Sequence, residues 1–285
     1  MTTAPTDFYS ELTARNTGFI SPRTQGRVRE ATVLVAGCGS TGGAAVEPLA
    51  RVGVQRFILA DNGDYELNNL NRQQAGIADI GRNKALVNAE RVRSINPHAR
   101  VDVRVDGIAP GTVDDLVGRA DVVVDGVDVT EMAGMAAKFA LHESAARLRV
   151  PVISGYDMAG LQFVRCYDYR AAMAPLAGAV DRRRIERSTP WELLARLIPK
   201  RVVPVEMIRS LRGASADPDF HVSQLVYTSM LFGAITTRMT VELLAGVPVR
   251  RSVRIDVHQA VRRPLANLRL SVTKPVELIR TLRSL

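Results

Sequence analysis

A glycine-rich turn between a strand and a helix constrains the fold of this chain more than any other feature. Residues 32–36 (TVLVA) form an apolar, β-branched run typical of a buried parallel strand, and residues 43–52 predict a helix. Between them lies the pattern GxGxxG, with Gly37, Gly39 and Gly42. Such glycines let the backbone turn tightly, and the helix N-terminus offers free N–H groups to a phosphate. In this context the motif predicts a nucleotide-binding site.

Strand-like and helix-like patterns alternate along the following hundred residues. The predicted strands cover 56–60, 101–105, 121–125 and 151–154, and the predicted helices cover 81–95, 112–118 and 131–148. Strands that alternate with helices form parallel sheets, because each helix returns the chain to the same edge of the sheet. We therefore predict an α/β fold with a Rossmann-like, doubly wound and mostly parallel sheet that has helices on both faces.

The pattern divides the chain into four segments. Residues 1–30 are a polar N-terminal arm with a helix through Phe8–Arg15, and 31–170 are the nucleotide-binding domain. Residues 171–220, rich in Arg, Pro and Ala, predict a loop-rich insertion with short helices. Residues 221–285 return to the same fold and begin with a C-terminal helix over 222–245, which is apolar around most of its circumference.

Charge and composition limit the classes of partner that the chain is expected to have. The net charge is +9, but the arginines are scattered and not interleaved with aromatic residues, so we favour a solvated basic surface over a nucleic acid such as tRNA. Apolar stretches are too short for a membrane helix and the N-terminus lacks a signal-peptide layout, which favours a cytoplasmic protein without a membrane partner. Cys38 and Cys166 form no CxxC pair, so no zinc site is expected.

Polar residues after the second strand indicate which nucleotide chemistry the site supports. Asp61 ends that strand, where Rossmann sites place the carboxylate that binds ribose hydroxyls. The segments NLNRQ and GRNK follow and contribute Asn69, Arg72 and Lys84. A dehydrogenase has no need for two cations here, whereas attack on the α-phosphate of ATP develops negative charge that fixed cations stabilise. Asn69 adds a neutral hydrogen-bond donor.

Two carboxylates follow the strand over 121–125. Ligands bind beyond the carboxyl ends of parallel strands, so Asp125 and Asp128 are expected to face the same crevice. Because Mg²⁺ prefers carboxylate and phosphate oxygens, we predict that Asp128 binds magnesium. For Asp125, a helix N-cap is a competing interpretation.

These motifs together resemble the ThiF/MoeB adenylyltransferases and the adenylation domain of ubiquitin-activating enzymes. The resemblance covers residues 15 to about 165, and the NLNRQ and GxxK segments are its most specific part. It implies that the glycine turn, Asp61, Asn69, Arg72 and Lys84 bind ATP, that Asp128 binds Mg²⁺, and that Arg15 reaches the ATP of the partner subunit in a homodimer. The part of the apolar surface of 222–245 that one face of the sheet cannot cover would be buried in that dimer.

The resemblance also implies an activity. A carboxylate would attack ATP to give an acyl-adenylate, and it would belong to a ubiquitin-like or sulfur-carrier protein, a peptide or a small acid. Because 171–219 contain no cysteine, the acyl group is expected to pass on without an enzyme thioester. Gly63 and Val129 depart from the family pattern and keep a nucleotide-binding scaffold without turnover as an alternative. A tRNA-modifying ATP-dependent dehydratase and an NAD(P)-dependent oxidoreductase are further alternatives.

Overall fold

A seven-stranded sheet organises the computed structural model, which describes residues 5–212 and 222–282. The parts of the predicted segments at 1–4, 213–221 and 283–285 lie outside the described residues. The strands are β1 (Thr32–Ala36), β2 (Arg56–Ala60), β3 (Arg100–Arg104), β4 (Val122–Asp125), β5 (Val152–Met158), β6 (Leu161–Tyr167) and β7 (Ser252–Asp256).

Twelve α-helices connect or flank these strands in the described ranges. They are α1 (Pro5–Leu12), α2 (Pro22–Glu30), α3 (Ser40–Val52), α4 (Lys84–Ile95), α5 (Val113–Gly118), α6 (Met132–Leu148), α7 (Arg182–Arg187), α8 (Pro190–Leu197), α9 (Val205–Ser210), α10 (Val226–Ala245), α11 (Val257–Val261) and α12 (Pro264–Leu282). None of them has the length and apolar character needed to cross a lipid bilayer.

The strand order is β3-β2-β1-β4-β5-β6-β7. The first five strands are parallel, and β6 and β7 each run antiparallel to the preceding strand in this order. At the carboxyl end of β1, Ala36 pairs with Ala60 of β2 on one side and with Asp125 of β4 on the other. The segments that follow these three strands therefore leave the sheet at the same edge.

Helices cover both faces of the sheet, as predicted. On one face, Leu34 and its neighbours pack against α5 and α6 through residues such as Leu116 and Phe139. On the other face, Val35 packs in a core that includes Leu49 of α3 and Phe232 of α10. The alternating side chains of β1 thus feed two separate cores, which confirms the doubly wound fold.

Helix α10 packs within its own chain, which corrects the reason given for a dimer interface at 222–245. It begins at Val226 and lies mainly against α3 and the strands β5 and β6. Small residues allow this approach: a Cβ on Gly233 would lie 2.2 Å from the Ala44 backbone oxygen, and one on Gly155 would lie 2.4 Å from the Phe232 ring. Because the sheet and α3 together bury most of the apolar surface of α10, that surface does not require a second subunit.

The segments at both ends and the region after residue 170 contain more regular structure than the sequence predicted. In the arm, the Tyr9 hydroxyl donates to the Gly53 backbone oxygen at 3.0 Å and so fixes α1 to the end of α3. Beyond residue 170, Leu193, Leu197 and Met207 are buried in the same core as α5 and α6. The strand β7 and the helices α11 and α12 were not predicted.

Candidate nucleotide-binding site

The glycine turn between β1 and α3 leaves no room for a side chain at Gly37 or Gly42. Gly37 has a φ of +82°, a conformation that other residues rarely adopt, and a Cβ there would lie 2.5 Å from the Gly126 backbone oxygen. A Cβ on Gly42 would lie 1.9 Å from the Gly37 backbone oxygen. Both glycines are therefore required for the turn itself, which brings the start of α3 to the carboxyl edge of the sheet.

Gly39 and Gln73 form the part of the turn that is suited to a ligand. Gly39 is the N-cap residue of α3 and has no side chain to bind the first N–H groups of the helix. The atom nearest to a Cβ placed on Gly39 would be Gln73 Oε1, at 3.8 Å. This oxygen is buried and has no hydrogen-bond partner among the described residues, which suits a donor from a bound molecule. Gln73 is the last residue of the NLNRQ segment, and no role was predicted for it from the sequence.

Asp61 lies directly beside the glycine turn. Its carboxylate accepts hydrogen bonds from the Cys38 backbone N–H at 2.5 Å and from the Gly63 backbone N–H at 2.7 Å. Burial raises the pKa of Asp61, against the lowering effect of these hydrogen bonds and of nearby Lys84. The carboxylate has further lone pairs that could accept from a ribose. Its place matches the prediction, and ribose binding stays a prediction.

The ammonium of Lys84 lies near Asp61. A side chain at position 63, where this chain has glycine, would contact both groups. A Cβ on Gly63 would lie 3.2 Å from Asp61 Oδ1 and 3.3 Å from Lys84 Nζ. Lys84 is the first residue of α4, and its backbone N–H donates to the Gly63 oxygen at 3.0 Å. Asn83 caps this helix, and its side chain also donates to the backbone oxygen of Asp61 at 3.0 Å. These contacts fix Lys84 relative to the end of β2.

Arg72 ends a short 3-10 helix, Leu67–Asn71, and faces the start of α10. Its Nη1 donates to the Asn68 backbone oxygen at 2.9 Å, and its Nε donates to the side chain of Gln224. Burial lowers the pKa of Arg72, whereas the charges of Asp128 and Asp157 raise it, so both carboxylates are near the guanidinium. The structure therefore places Arg72 between the loop after β4 and the end of β5.

Asn69 stabilises the 3-10 helix in this structure. It is buried, and its Oδ1 accepts from the Glu66 backbone N–H at 3.2 Å while its Nδ2 donates to Asn68. These bonds use the amide for local structure. A direct contact between Asn69 and a nucleotide stays a prediction.

The two acids after β4 have different environments. Asp128 is exposed, and its Oδ1 accepts from the Thr130 N–H at 2.9 Å and from the Thr130 hydroxyl at 2.8 Å. Its charge influences the pKa of both Asp61 and Arg72, which places it near both. In the described ranges, no group of three His, Cys, Asp or Glu side chains is arranged to hold a metal.

Asp125 does not face the crevice and does not cap a helix, so both interpretations of this residue were wrong. It is fully buried, and its Oδ2 contacts Lys138, His142 Nε2 at 2.9 Å and Ser154 Oγ at 2.6 Å. Although burial alone favours the neutral acid, Lys138 and His142 hold the pKa of Asp125 well below its ordinary value. This carboxylate belongs to a charged network in the core, and the N-cap of α6 is Glu131.

Asp157 is a residue of this region that the sequence analysis missed. It lies near the end of β5, and its Oδ2 accepts from Ser229 Oγ at 3.0 Å and from Ser40 Oγ at 3.4 Å. Ser40 is the first residue of α3 and Ser229 lies in the first turns of α10. Burial raises the pKa of Asp157 to about 6. An acid inside the apolar strand pattern that begins with PVIS was the signal available in the sequence.

Arg15 lies away from these residues within one chain. It is exposed on the short helix Ala14–Asn16, next to Asn16, whose side chain donates to the Val52 oxygen at 3.1 Å. Val52 ends α3, whereas the glycine turn precedes its start, and a helix of 13 residues is about 20 Å long. The structure does not bring Arg15 to the glycine turn of its own chain.

Both cysteines are packed residues. Cys38 is fully buried, and burial raises the pKa of its thiol well above the ordinary value. Cys166 lies in β6, and burial raises the pKa of its thiol to about 12. Because a thiolate is the nucleophilic form of cysteine, neither environment favours a nucleophile.

Comparison with known proteins places this geometry in a family. A sequence model of the ThiF family matches residues 13–167, which is more than half of the chain. The vegetative HesA protein of Trichormus variabilis is 39% identical over 102 residues, 35% of this chain and 38% of that protein. The tRNA threonylcarbamoyladenosine dehydratase of Haemophilus influenzae is 37% identical over 110 residues, 38% of this chain and 42% of that protein. The match thus spans less than half of either relative.

Solved structures share the fold over most of the chain. The Escherichia coli tRNA N6-threonylcarbamoyladenosine dehydratase, TcdA, in complex with ATP superposes with a TM-score of 0.61 and 21% identity, covering 86% of this chain and 98% of that one. At this identity the likeness shows the fold alone. It extends beyond the family match into the C-terminal part of the chain.

Proposed function

Because the chain belongs to the ThiF family, we propose that it is an ATP-dependent enzyme that activates a carboxylate as an acyl-adenylate. The observation that carries this proposal is the arrangement of Lys84 beside Asp61 at the glycine turn. One crevice then contains a cation, a carboxylate placed to bind ribose, and a helix N-terminus. This combination favours a nucleotide with reactive phosphates, such as ATP, over a dinucleotide whose phosphates serve only for binding.

In the first step, a carboxylate oxygen of the substrate attacks the α-phosphorus of ATP. The bond between the α-phosphorus and the bridging oxygen breaks, and pyrophosphate leaves with the negative charge. Lys84 and Arg72 would stabilise the charge that develops on the phosphates, and the free N–H groups at the start of α3 would bind the phosphate oxygens. Asp61 would orient the ribose.

Asp128 is the residue best suited to hold Mg²⁺. Its carboxylate is exposed at the edge of the crevice, near Arg72, and Mg²⁺ in such sites needs only one or two protein carboxylates in addition to phosphate oxygens. Bound there, the ion would neutralise phosphate charge. The buried ion-pair network of Asp125 removes that residue as an alternative ligand.

In the second step, an amine, thiol or sulfide attacks the acyl carbon and releases AMP. We propose that the transfer is direct, because the two cysteines of the chain are buried and burial raises the pKa of both thiols. The carboxylate would belong to the C-terminus of a ubiquitin-like or sulfur-carrier protein, to a peptide or to a small acid.

A tRNA-modifying ATP-dependent dehydratase is the second candidate. It is supported by the relative of that name and by the net charge of +9, which suits a polyanion. An NAD(P)-dependent oxidoreductase is the weaker alternative, because it gives Lys84 and Arg72 no role. We also propose a homodimer in which Arg15 serves the site of the partner, since that arginine does not reach its own site.

Pyrophosphate exchange tests the proposed activity. Labelled pyrophosphate and ATP are incubated with the purified chain, Mg²⁺ and, in turn, carrier proteins, peptides, small acids and threonylcarbamoyl-modified tRNA. We expect label to enter ATP only when the right carboxylate is present. If the modified tRNA alone supports exchange, the dehydratase is correct. If ATP does not bind but NAD(P) does in a fluorescence titration, adenylation is wrong.

A further inference from the structure

The last described helix, α12, exposes a line of apolar side chains to solvent. Leu265, Leu268, Val272, Val276 and Ile279 are each at least half exposed. They recur at intervals of three and four residues and therefore form one continuous line on the helix, which we call the α12 stripe. A helix on a protein surface ordinarily buries such a line against the core.

The side of α12 that faces the protein is held by polar contacts, with Leu270 and Leu278 half-buried beside them. Glu277 is 7% exposed and accepts from Arg209 at 3.1 Å while also pairing with Arg212. Lys274 Nζ donates to the Arg201 backbone oxygen at 2.8 Å, and the Thr281 hydroxyl donates to the Ile208 oxygen at 3.0 Å. These contacts orient the helix and hold the α12 stripe toward solvent. The arrangement fits a surface that binds a partner.

The composition of the stripe favours a helix as the occupant. Its five members are Leu, Val and Ile at intervals of three, four, four and three residues, so another helix can pack along them. Helix α12 has 19 residues, with Pro275 in its interior, and is about 28 Å long, enough for several turns of contact. It has no Trp, Tyr or Phe, residues that helices lying on a lipid surface commonly use.

The charges beside the stripe favour an acidic partner over a second copy of this chain. Arg269 and Arg280 are exposed and lie about three helical turns apart on the same edge of the stripe, and Arg280 also lies 3.9 Å from Glu277. The one acid of α12, Glu277, is used on the inner side. In an antiparallel pair of α12 helices, the arginines of both copies would lie along one edge and repel each other.

We propose that the α12 stripe binds an amphipathic helix of another protein, which carries aliphatic residues at the same spacing and Asp or Glu along its flank. The aliphatic side chains would pack between those of the stripe, and the acidic flank would pair with Arg269 and Arg280. The partner is thus recognised by both the apolar line and the charge of its edge.

Fluorescence anisotropy with synthetic peptides tests this surface on the full chain. The probe is a labelled 21-residue peptide with Leu at intervals of three and four and Glu on both flanks. Its controls are the same peptide with Lys flanks and a scrambled acidic peptide of equal charge. We expect the Glu-flanked peptide to bind, and a Leu268→Gln/Val272→Gln variant to bind it at least about tenfold more weakly. Both positions are exposed, so the fold should be unchanged by circular dichroism.

Charge reversal provides the matched control. Arg269→Glu/Arg280→Glu should bind the Lys-flanked peptide better than the Glu-flanked one, whereas Arg51→Glu/Arg56→Glu, with the same change in net charge elsewhere, should keep the original preference. Equal binding of the scrambled peptide, or no binding of either amphipathic peptide, would overturn the proposal. If light scattering shows a dimer that the Gln variant converts to a monomer, the stripe binds a second copy of this chain. If the chain binds phosphatidylglycerol vesicles and the Gln variant does not, the stripe binds a lipid surface.

Discussion

The carboxylate of Asp157 accepts a hydrogen bond from Ser229 at 3.0 Å, and this bond joins β5 to the first turns of α10. The same carboxylate accepts from Ser40 at the start of α3, so one acid links three elements around the candidate site. It does so in a buried position, where the charged form is costly.

This position predicts a pH dependence of stability. Burial raises the pKa of Asp157 from 3.8 to about 6, so the folded chain binds its proton more tightly than the unfolded chain does. Stability contributed by this group is then present at low pH and falls as pH rises from about 4 to about 6. Asn at this position does not titrate. The free energy of unfolding of Asp157→Asn, relative to that of the wild type, should therefore increase over this pH range by at most about 3 kcal/mol. Urea unfolding at pH 4.5 and 7.5 measures the difference. If the free energy of unfolding changes equally with pH in the wild type and in Asp157→Asn, the prediction is wrong. The control is Asp115→Asn, at an exposed position.

Removing either phosphate-site cation should abolish adenylation without unfolding the chain. We expect Lys84→Ala and Arg72→Ala each to slow pyrophosphate exchange by about two orders of magnitude or more, since each removes a cation from developing phosphate charge. Lys200→Ala, an exposed lysine elsewhere, is the control and should retain full activity. Exchange rates within a few-fold of wild type for both site variants would remove them from the mechanism.

Asp128 should set the magnesium requirement. For Asp128→Asn we expect the Mg²⁺ concentration at half-maximal exchange to rise by about tenfold or more, because an amide binds Mg²⁺ more weakly than a carboxylate does. The experiment is a Mg²⁺ titration at saturating ATP, beside the same titration of Asp115→Asn. An unchanged titration curve would mean that another group holds the ion.

Both cysteines should be dispensable for the two chemical steps. A Cys38→Ala/Cys166→Ala variant should form acyl-adenylate and pass on the acyl group, since neither thiol is accessible. Adenylate formation can be followed by pyrophosphate exchange, and transfer by the release of AMP when the nucleophile is added. A variant that forms adenylate but cannot transfer the acyl group would show that a thioester is required.

Mixing two inactive chains tests the shared site. Arg15→Ala and Lys84→Ala should each be inactive alone, but heterodimers should contain one site with both residues and recover part of the activity. Light scattering should give twice the 31.1 kDa chain mass. If heterodimers form and remain inactive, Arg15 does not act across the interface.

The parallel core was predictable because its signals are local. The strands β1, β2 and β4 are continuous apolar runs, and the glycine turn fixes the order of the elements around it. Asp61 could be placed at this edge from topology, because the carboxyl ends of parallel strands meet there, whereas Lys84 was assigned from the GxxK segment.

The rest depended on contacts that the local pattern does not reveal. Asp125 and Asp128 lie three residues apart, yet one is buried against Lys138 and the other is exposed, a difference set by α6. The edge strand β7 is half polar and carries little strand signal. The aliphatic spacing in α12 was visible in the sequence, but the burial of its polar side was not, because that follows from ion pairs with Arg209 and Arg212.

The close approach of α3 and α10 has a consequence for cooperativity. Because a Cβ on Gly233 would lie 2.2 Å from the Ala44 backbone oxygen, the helix that begins at the glycine turn packs closely against a segment nearly two hundred residues later in the chain. Because Val35 and Leu49 share a core with Phe232, we expect a fragment that ends before α10 to lose part of that core and to fold less stably than the whole chain.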